Sequence, residues 1–186
     1  MIELKANPKS TPNHTVMLAD GAIGIILTGR TGIAIAVIDA RDYPLVKDHR
    51  WYPLVKRRTT YVQANLLRED GTRTCVLLHR MIMAQQLGPA MDVDHRNHNG
   101  LDNRRRNLRP ATRAQNLMNR LARRGTSQYL GVHWSARKQR WRAQIRIDGE
   151  KVYLGSFASE KAAARAYDAA ASEHHGEFAQ LNLEAK

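Results

Sequence analysis

Cysteine is almost missing from this sequence: Cys75 is the only one. That excludes an intrachain disulfide and a cysteine-based zinc site, and it fits a reducing, intracellular setting. Long apolar runs are missing as well. The longest, Gly32 to Ile38, has the length of a strand and falls far short of the ~18 residues a membrane span needs. No positively charged start leads into an apolar segment, so no signal peptide is expected, and the expected location is cytoplasmic with no membrane partner. A chain of 186 residues suits one or two small domains with modest cores.

Acidic residues are missing from one long stretch. From Asn103 to Ile147 there is none, against thirteen Lys or Arg, with Asp102 and Asp148 bracketing the segment. The whole chain carries a formal charge of +13. Charge segregated in this way repels itself unless an anionic partner offsets it, and a nucleic acid is the natural candidate.

What is present divides the chain into four parts. Residues 1–74 read as a small β-rich region: an irregular lead-in over Ala6 to Pro12, then strands over Gly24–Thr28, Gly32–Ile38 and Tyr61–Leu67, a turn at Glu69–Thr72, and a further strand from Arg73. Trp51, Tyr52 and Tyr61 are expected to pack its core. Residues 75–120 begin with a helix over His79–Gln86, stopped by Gly88-Pro89. A short strand at Met91–His95, an Asn- and Gly-rich loop, a second short strand at Leu108–Thr112 and a helix from Arg113 to about Leu121, capped by Thr112, make a ββα unit. Residues 121–126 form a basic linker around Arg123-Arg124. Residues 127–186 show three strands, Leu130–Trp134, Arg140–Ile147 and Lys151–Phe157, with a hairpin turn at Asp148-Gly149 and an Ala-rich helix from Glu160 to about His174 capped by Ser159. The fold class expected is α+β.

Phosphodiester hydrolysis needs a cation to offset charge on the phosphate, a base to activate water, and a scaffold for both. Asp94 and His95 sit side by side at a strand end. Neighbouring strand side chains point oppositely, so a local departure from regular geometry would let Asp94 face a metal and His95 a water. Asn107, across the loop, can bond backbone there or hold the His95 ring. Asn116, on the following helix, offers an amide oxygen. Mg²⁺ accepts such hard oxygen ligands and keeps several of its waters. Arg104, Arg105, Arg106 and Arg109 are candidate phosphate clamps that position without reading sequence. His98 is either a surface loop residue or a further phosphate contact.

The run Val93-Asp94-His95-Arg96-Asn97-His98-Asn99-Gly100-Leu101-Asp102-Asn103-Arg104-Arg105-Arg106-Asn107-Leu108 resembles the HNH endonuclease motif in the form found in phage and intron-encoded homing enzymes. Leu78-His79-Arg80 resembles the His-Arg pair that precedes it. The resemblance covers about Val76 to Asn119. It implies a metal-dependent endonuclease with Mg²⁺ or Mn²⁺ as cofactor, Asp94 and Asn116 as metal ligands, His95 as general base and Asn107 as the residue fixing the loop. His98 departs from the pattern, since relatives often have Gly there.

In the C-terminal part, Trp141, Ala143, Ile145 and Ile147 alternate with Arg142, Gln144 and Arg146. The apolar set needs a cover, and Ala162, Ala163, Ala166, Tyr167 and Ala170 supply one at helical spacing. The polar face stays open, and a sheet of that width can enter the major groove, where Arg reads guanine and Gln adenine. Ser127-Gln128-Tyr129-Leu130-Gly131-Val132, Trp141 to Arg146, Val152 to Phe157 and Ala163-Ala164-Arg165-Ala166-Tyr167-Asp168 resemble an AP2/ERF DNA-binding domain. That resemblance implies that His133, Ser135, Arg142, Gln144, Arg146, Lys151 and Tyr153 face DNA. His133, Ser135 and Tyr153 differ in type from the plant set, so the plant target sequence does not transfer. The expectation is a monomer that binds double-stranded DNA through this sheet and nicks one strand. The rival is a sequence-specific DNA-binding protein without catalysis, and a second rival is an RNA-directed or structural basic protein.

Overall fold

Aliphatic runs broken by turn residues govern the first half of the chain. The computed structural model describes residues 5–6, 10–30, 32–88, 90–119 and 125–183. The end of the helix expected to reach Leu121, Arg123-Arg124 of the linker, part of the lead-in and Pro89 lie outside them. Two compact units emerge, Met1–Pro110 and Ala111–Lys186.

The first unit opens with β1 (Thr15–Met17), β2 (Ile23–Gly29) and β3 (Gly32–Ile38), an antiparallel sheet in that order. Ile23, Ile25 and Leu27 alternate along β2 and are buried, as one face of a half-covered strand should be. A 3₁₀ turn at Ala40–Asp42 leads into α1 (Tyr43–Val46) and a second sheet, β4 (Trp51–Val55), β5 (Thr60–Leu67) and β6 (Arg73–Leu77). Asn13 ties the two sheets: its Oδ1 accepts from Trp51 N at 2.6 Å and its Nδ2 donates to Ile26 O at 2.8 Å. Then come α2 (Leu78–Met83), a 3₁₀ turn at Ala84–Gln86, and the two-stranded pair β7 (Asp92–His95) and β8 (Leu108–Ala111). A single apolar cluster includes Leu27, Ile38, Trp51, Val62, Leu78 and Leu108, so the N-terminal sheets and the β7–β8 hairpin share one core.

Several local expectations change. The helix expected over His79–Gln86 is α-helical only to Met83 and then tightens. Strands β1 and β4 and helix α1 have too few alternating residues to stand out in sequence. Of the three aromatic residues, Trp51 is fully buried and donates from Nε1 to Val46 O at 3.0 Å. Tyr52 falls on the opposite face of the same strand and is 36% exposed, the consequence of strand alternation. Tyr61 is half-buried and turns toward two histidines described below.

The second unit starts with α3 (Arg113–Met118). Thr112 caps it, with Gln115 completing a capping box. Strands β9 (Val132–Ser135), β10 (Arg140–Ile147) and β11 (Glu150–Phe157) form an antiparallel sheet in the order β11-β10-β9, with a bulge between Ala143 and Gln144. Helix α4 (Glu160–His175) lies across it. Ala163 and Ala164 meet Val132 and Ala143, while Tyr167, Ala170 and Ala171 meet Ile145; these short side chains let helix and sheet approach closely. β9 starts two residues later than expected. Leu130 is instead held by the Asn182 side chain, through Oδ1 at 2.6 Å and Nδ2 at 3.1 Å. Gly131 follows at φ +73°, where a Cβ would lie 2.2 Å from the Tyr167 ring, so only glycine fits. Asp168 accepts from the backbone N–H groups of Asn182 and Leu183 at 2.8 and 2.9 Å, pinning that segment to α4. Among the described residues no helix is long and apolar enough to cross a membrane.

Candidate active site and sheet surface

Strand β7 ends on Asp94 and His95, both buried, and the chain then enters a twelve-residue loop that returns through Asn107 to β8. Asn107 holds the two ends of this loop. Its Oδ1 accepts from Asn97 N at 3.0 Å, its Nδ2 donates to Asp102 O at 2.7 Å, and its carbonyl accepts from Arg96 N at 2.9 Å. Within the loop, Asn97 Oδ1 accepts from Asn99 N, and Asn99 Oδ1 accepts from Leu101 N. These are the side-chain turns that asparagine supports. The loop is also fixed to β3, with Val37 N donating to Leu101 O at 2.8 Å and Asn103 N to Val37 O at 2.7 Å. His98 adopts φ +60° at its tip.

The arginines of the motif mostly turn inward. Arg109 directs Nε and Nη2 onto Asp94 Oδ2 at 2.8 and 2.7 Å, and both side chains are 6% exposed. Arg104 grips both oxygens of Asp102 at 2.7 and 2.8 Å and reaches Asp20 at 3.1 Å. The Arg104 bonds hold the Asp102 carboxyl below its usual range. Arg105 bonds Asp42 through Nε and Nη2, and Nη2 also donates to Ile82 O at 2.9 Å. The phosphate-clamp expectation rests on charge alone, and for Arg104, Arg105 and Arg109 the structure supplies carboxylate partners within the unit. Arg106 stays exposed.

His95 faces a small aromatic group. Its ring lies edge-on to His79 at 4.9 Å and tilted to Tyr61 at 5.8 Å. Its Nε2 lies 3.4 Å from Oδ1 of Asn103, which is fully buried and donates from Nδ2 to Gly100 O at 3.2 Å. Burial lowers the His95 pKa, against the opposing pull of the Asn103 bond and the charges of Asp94 and Asp102. His79 is pushed down to about 3 by burial, with His95 and Arg80 adding to it. Both rings are neutral near pH 7, and a neutral imidazole that donates from Nε2 accepts on Nδ1. Asn103 and Tyr61 are the neighbours that sequence reasoning missed. Asn103 closes an Asp-Asn pair at the end of the loop, a signal that could have found it; Tyr61, more than thirty residues upstream of His95, carries none.

As a cation site, this hairpin offers the hard oxygen of Asp94, shared with Arg109. Among the described residues no cluster of three or more His, Cys, Asp or Glu could hold a metal. Such a donor set fits a hard cation that keeps most of its own waters and does not fit a closed zinc site. Asn116 lies on α3 in the second unit.

On the sheet of the second unit, Arg142 pairs across to His133 on one side and Ser156 on the other, Gln144 pairs with Tyr153, Arg146 with Lys151, and Arg140 with Ser135. His133, Ser135, Arg142, Gln144, Arg146, Lys151 and Tyr153 therefore lie along one face, opposite the face that Ala143 and Ile145 present to α4. The Arg142 guanidinium sits 4.7 Å over the Tyr153 ring, and the Tyr153 hydroxyl lies 2.6 Å from Ser156 Oγ. That contact, with Arg142 beside it, lowers the phenol pKa. Arg146 donates to Gly149 O across the hairpin turn.

Residues 76–118 match the family model described as HNH endonuclease. Over 177 residues the chain is 27% identical to an HNH endonuclease of Acanthamoeba polyphaga mimivirus, covering 94% of this chain and 90% of that protein. A stretch of 58 residues is 47% identical to APETALA2-like protein 2 of Oryza sativa, and one of 63 residues is 48% identical to an AP2-like ethylene-responsive transcription factor of Arabidopsis thaliana. These stretches cover 31% and 33% of this chain and 13% of each plant protein, so the likeness is to a module and not to the whole of either.

Proposed function

We propose how this chain, which carries an HNH endonuclease unit and an AP2-like module and is by that class a phosphodiester hydrolase, treats its substrate: it nicks one strand of duplex DNA in a divalent-metal-dependent reaction. The AP2-like sheet holds the duplex through His133, Ser135, Arg142, Gln144, Arg146, Lys151 and Tyr153. The observation that carries the reading is the desolvated, neutral His95 ring beside Asp94, braced by His79, Tyr61 and Asn103.

His95 takes a proton from water on the nitrogen that does not face Asn103. The water oxygen bonds to phosphorus and the P–O3′ bond breaks. The 3′ oxygen leaves as a hydroxyl with a proton drawn from solvent, and the new 5′ end keeps the phosphate. His95 then returns its proton to solvent. A bound Mg²⁺ or Mn²⁺ supplies charge stabilisation at the phosphate oxygens. Asp94 is its ligand from the hairpin, and Asn116 is assigned as the second on motif spacing alone. Asn107 keeps the loop closed, and Arg106 is the motif arginine that meets backbone phosphate. One such centre per chain handles one strand at a time.

The Asp94–Arg109 pair favours the other reading, a DNA-binding protein without catalysis, because it already neutralises the carboxylate. Supercoiled plasmid incubated with Mg²⁺ or Mn²⁺, with and without EDTA, separates the two. Metal-dependent conversion to open circles, with linear product only later, is expected. Binding without cleavage on DNA of many sequences would favour the non-catalytic protein.

A further inference from the structure

We propose that the tip of the β4–β5 hairpin is a DNA-backbone clamp of the nuclease centre, with Lys56, Arg57 and Arg58 contacting phosphates beside the scissile one. The inference rests on reading the Asp94–His95 unit as a DNA nuclease. Pairing of β4 with β5 ends at Val55 opposite Thr60, and Lys56 N donates to Thr59 O at 3.0 Å, closing a four-residue loop. The three cations on it are exposed, and among the described residues no carboxylate pairs with them.

The loop is anchored to the motif. Gly100 N donates to Thr59 Oγ1 at 2.8 Å, and the backbones are so close that a Cβ on Gly100 would come within 2.6 Å of Thr60 O. One residue further, Tyr61 packs on His95 with centroids 5.8 Å apart. Arg58 precedes Tyr61 by three residues, at most about 10 Å of extended chain. Each DNA strand presents a phosphate about every 3.4 Å along the axis, so the cations fall within a few nucleotides of His95. Arg104, Arg105 and Arg109 are meanwhile engaged by Asp102 and Asp20, Asp42 and Asp94. An anionic backbone that reaches His95 meets the exposed cations of the hairpin and Arg106.

The test is the salt dependence of duplex binding by the full chain without metal, using a short duplex of mixed sequence. Each lost phosphate contact reduces the slope of log K against log salt by about 0.9. The Lys56→Gln/Arg57→Gln/Arg58→Gln variant should therefore bind with a slope shallower by about 2.7. The charge-keeping Lys56→Arg/Arg57→Lys/Arg58→Lys variant should keep the wild-type slope, and melting should not change, because the side chains are exposed. If the triple variant folds poorly, Arg57→Gln and Arg58→Gln singly should each lower the slope by about 0.9. An unchanged slope in a folded variant overturns the clamp. Binding is read without cleavage, so a wild-type chain that never nicks would count against the nuclease reading and not against this measurement.

Discussion

Replacing Arg105 with Met should destabilise the first unit by about 3–5 kcal/mol, the usual cost of stripping one partner from a buried ion pair. The magnitude follows from the asymmetry of the pair. The Asp42 side chain is 3% exposed and that of Arg105 is 24%. Without Arg105 the carboxylate loses three contacts of 2.8–3.0 Å while the methionine side chain offers it no donor. Ile82 O loses its donor as well. Asp42→Asn leaves the partly exposed guanidinium able to turn toward solvent, so it should cost less, about 1–2 kcal/mol. The double variant should be less unstable than the two losses added, with a coupling of about 2 kcal/mol. Because the chain has two units, a single unfolding transition is not assured. Amide hydrogen exchange of peptides from β2 and β3 against urea reports on the first unit alone. A loss below about 1 kcal/mol for Arg105→Met would refute the reasoning, and a shallower salt slope of DNA binding without loss of stability would make Arg105 a phosphate contact after all.

Gly100→Ala pushes a Cβ into Thr60 O and the Tyr61 ring; it should cost about 1–3 kcal/mol in the same exchange measurement and lower the nicking rate. Acid should act through His79, whose folded pKa of about 3 lies below the ordinary 6.5. The unfolded chain then takes the proton first, so this contribution is complete above pH ~6.5 and drains as pH falls toward 3, the loss amounting to about 2 kcal/mol at pH 5. His79→Leu should remove that difference in slope between pH 7 and 5, and an identical pH profile would contradict it. On the sheet, Arg142→Lys keeps the charge but loses the planar fork over Tyr153. Selection from random duplexes should lose information at one base position while overall affinity changes little.

Much of this molecule was legible in its residues, and the remainder failed for identifiable reasons. The alternation from Arg140 to Ile147 marks β10 and both its faces, and Ser159 marks the start of α4. The register shift opposite Ala143–Gln144 leaves Leu154 of β11 without a partner beside Gly155, and that glycine inside a strand pattern is its one local sign; the shared core that joins Ile38 to Leu108 has none. The Arg104–Arg106 run shows the limit most clearly. Charge density suggests a phosphate clamp, yet Arg104 is held by its near neighbour Asp102 and also reaches Asp20, which is 84 residues earlier, and Arg105 meets Asp42, which is 63 earlier. Only the folded chain brings Asp20 and Asp42 to these arginines. Tyr61 is similar: nothing in its own segment sets it apart from a core residue, and its place against His95 follows from the docking of β5 beneath the motif loop.

The central claim is that His95 is the base of a metal-dependent cleavage, and His95→Ala tests it most directly. Nicking of supercoiled plasmid should be followed under single-turnover conditions with Mg²⁺, alongside duplex binding without metal. Loss of a positioned general base should slow nicking by about 10²–10⁴-fold while binding stays within a few-fold of wild type. Nicking at the wild-type rate by a clean His95→Ala preparation would contradict the account.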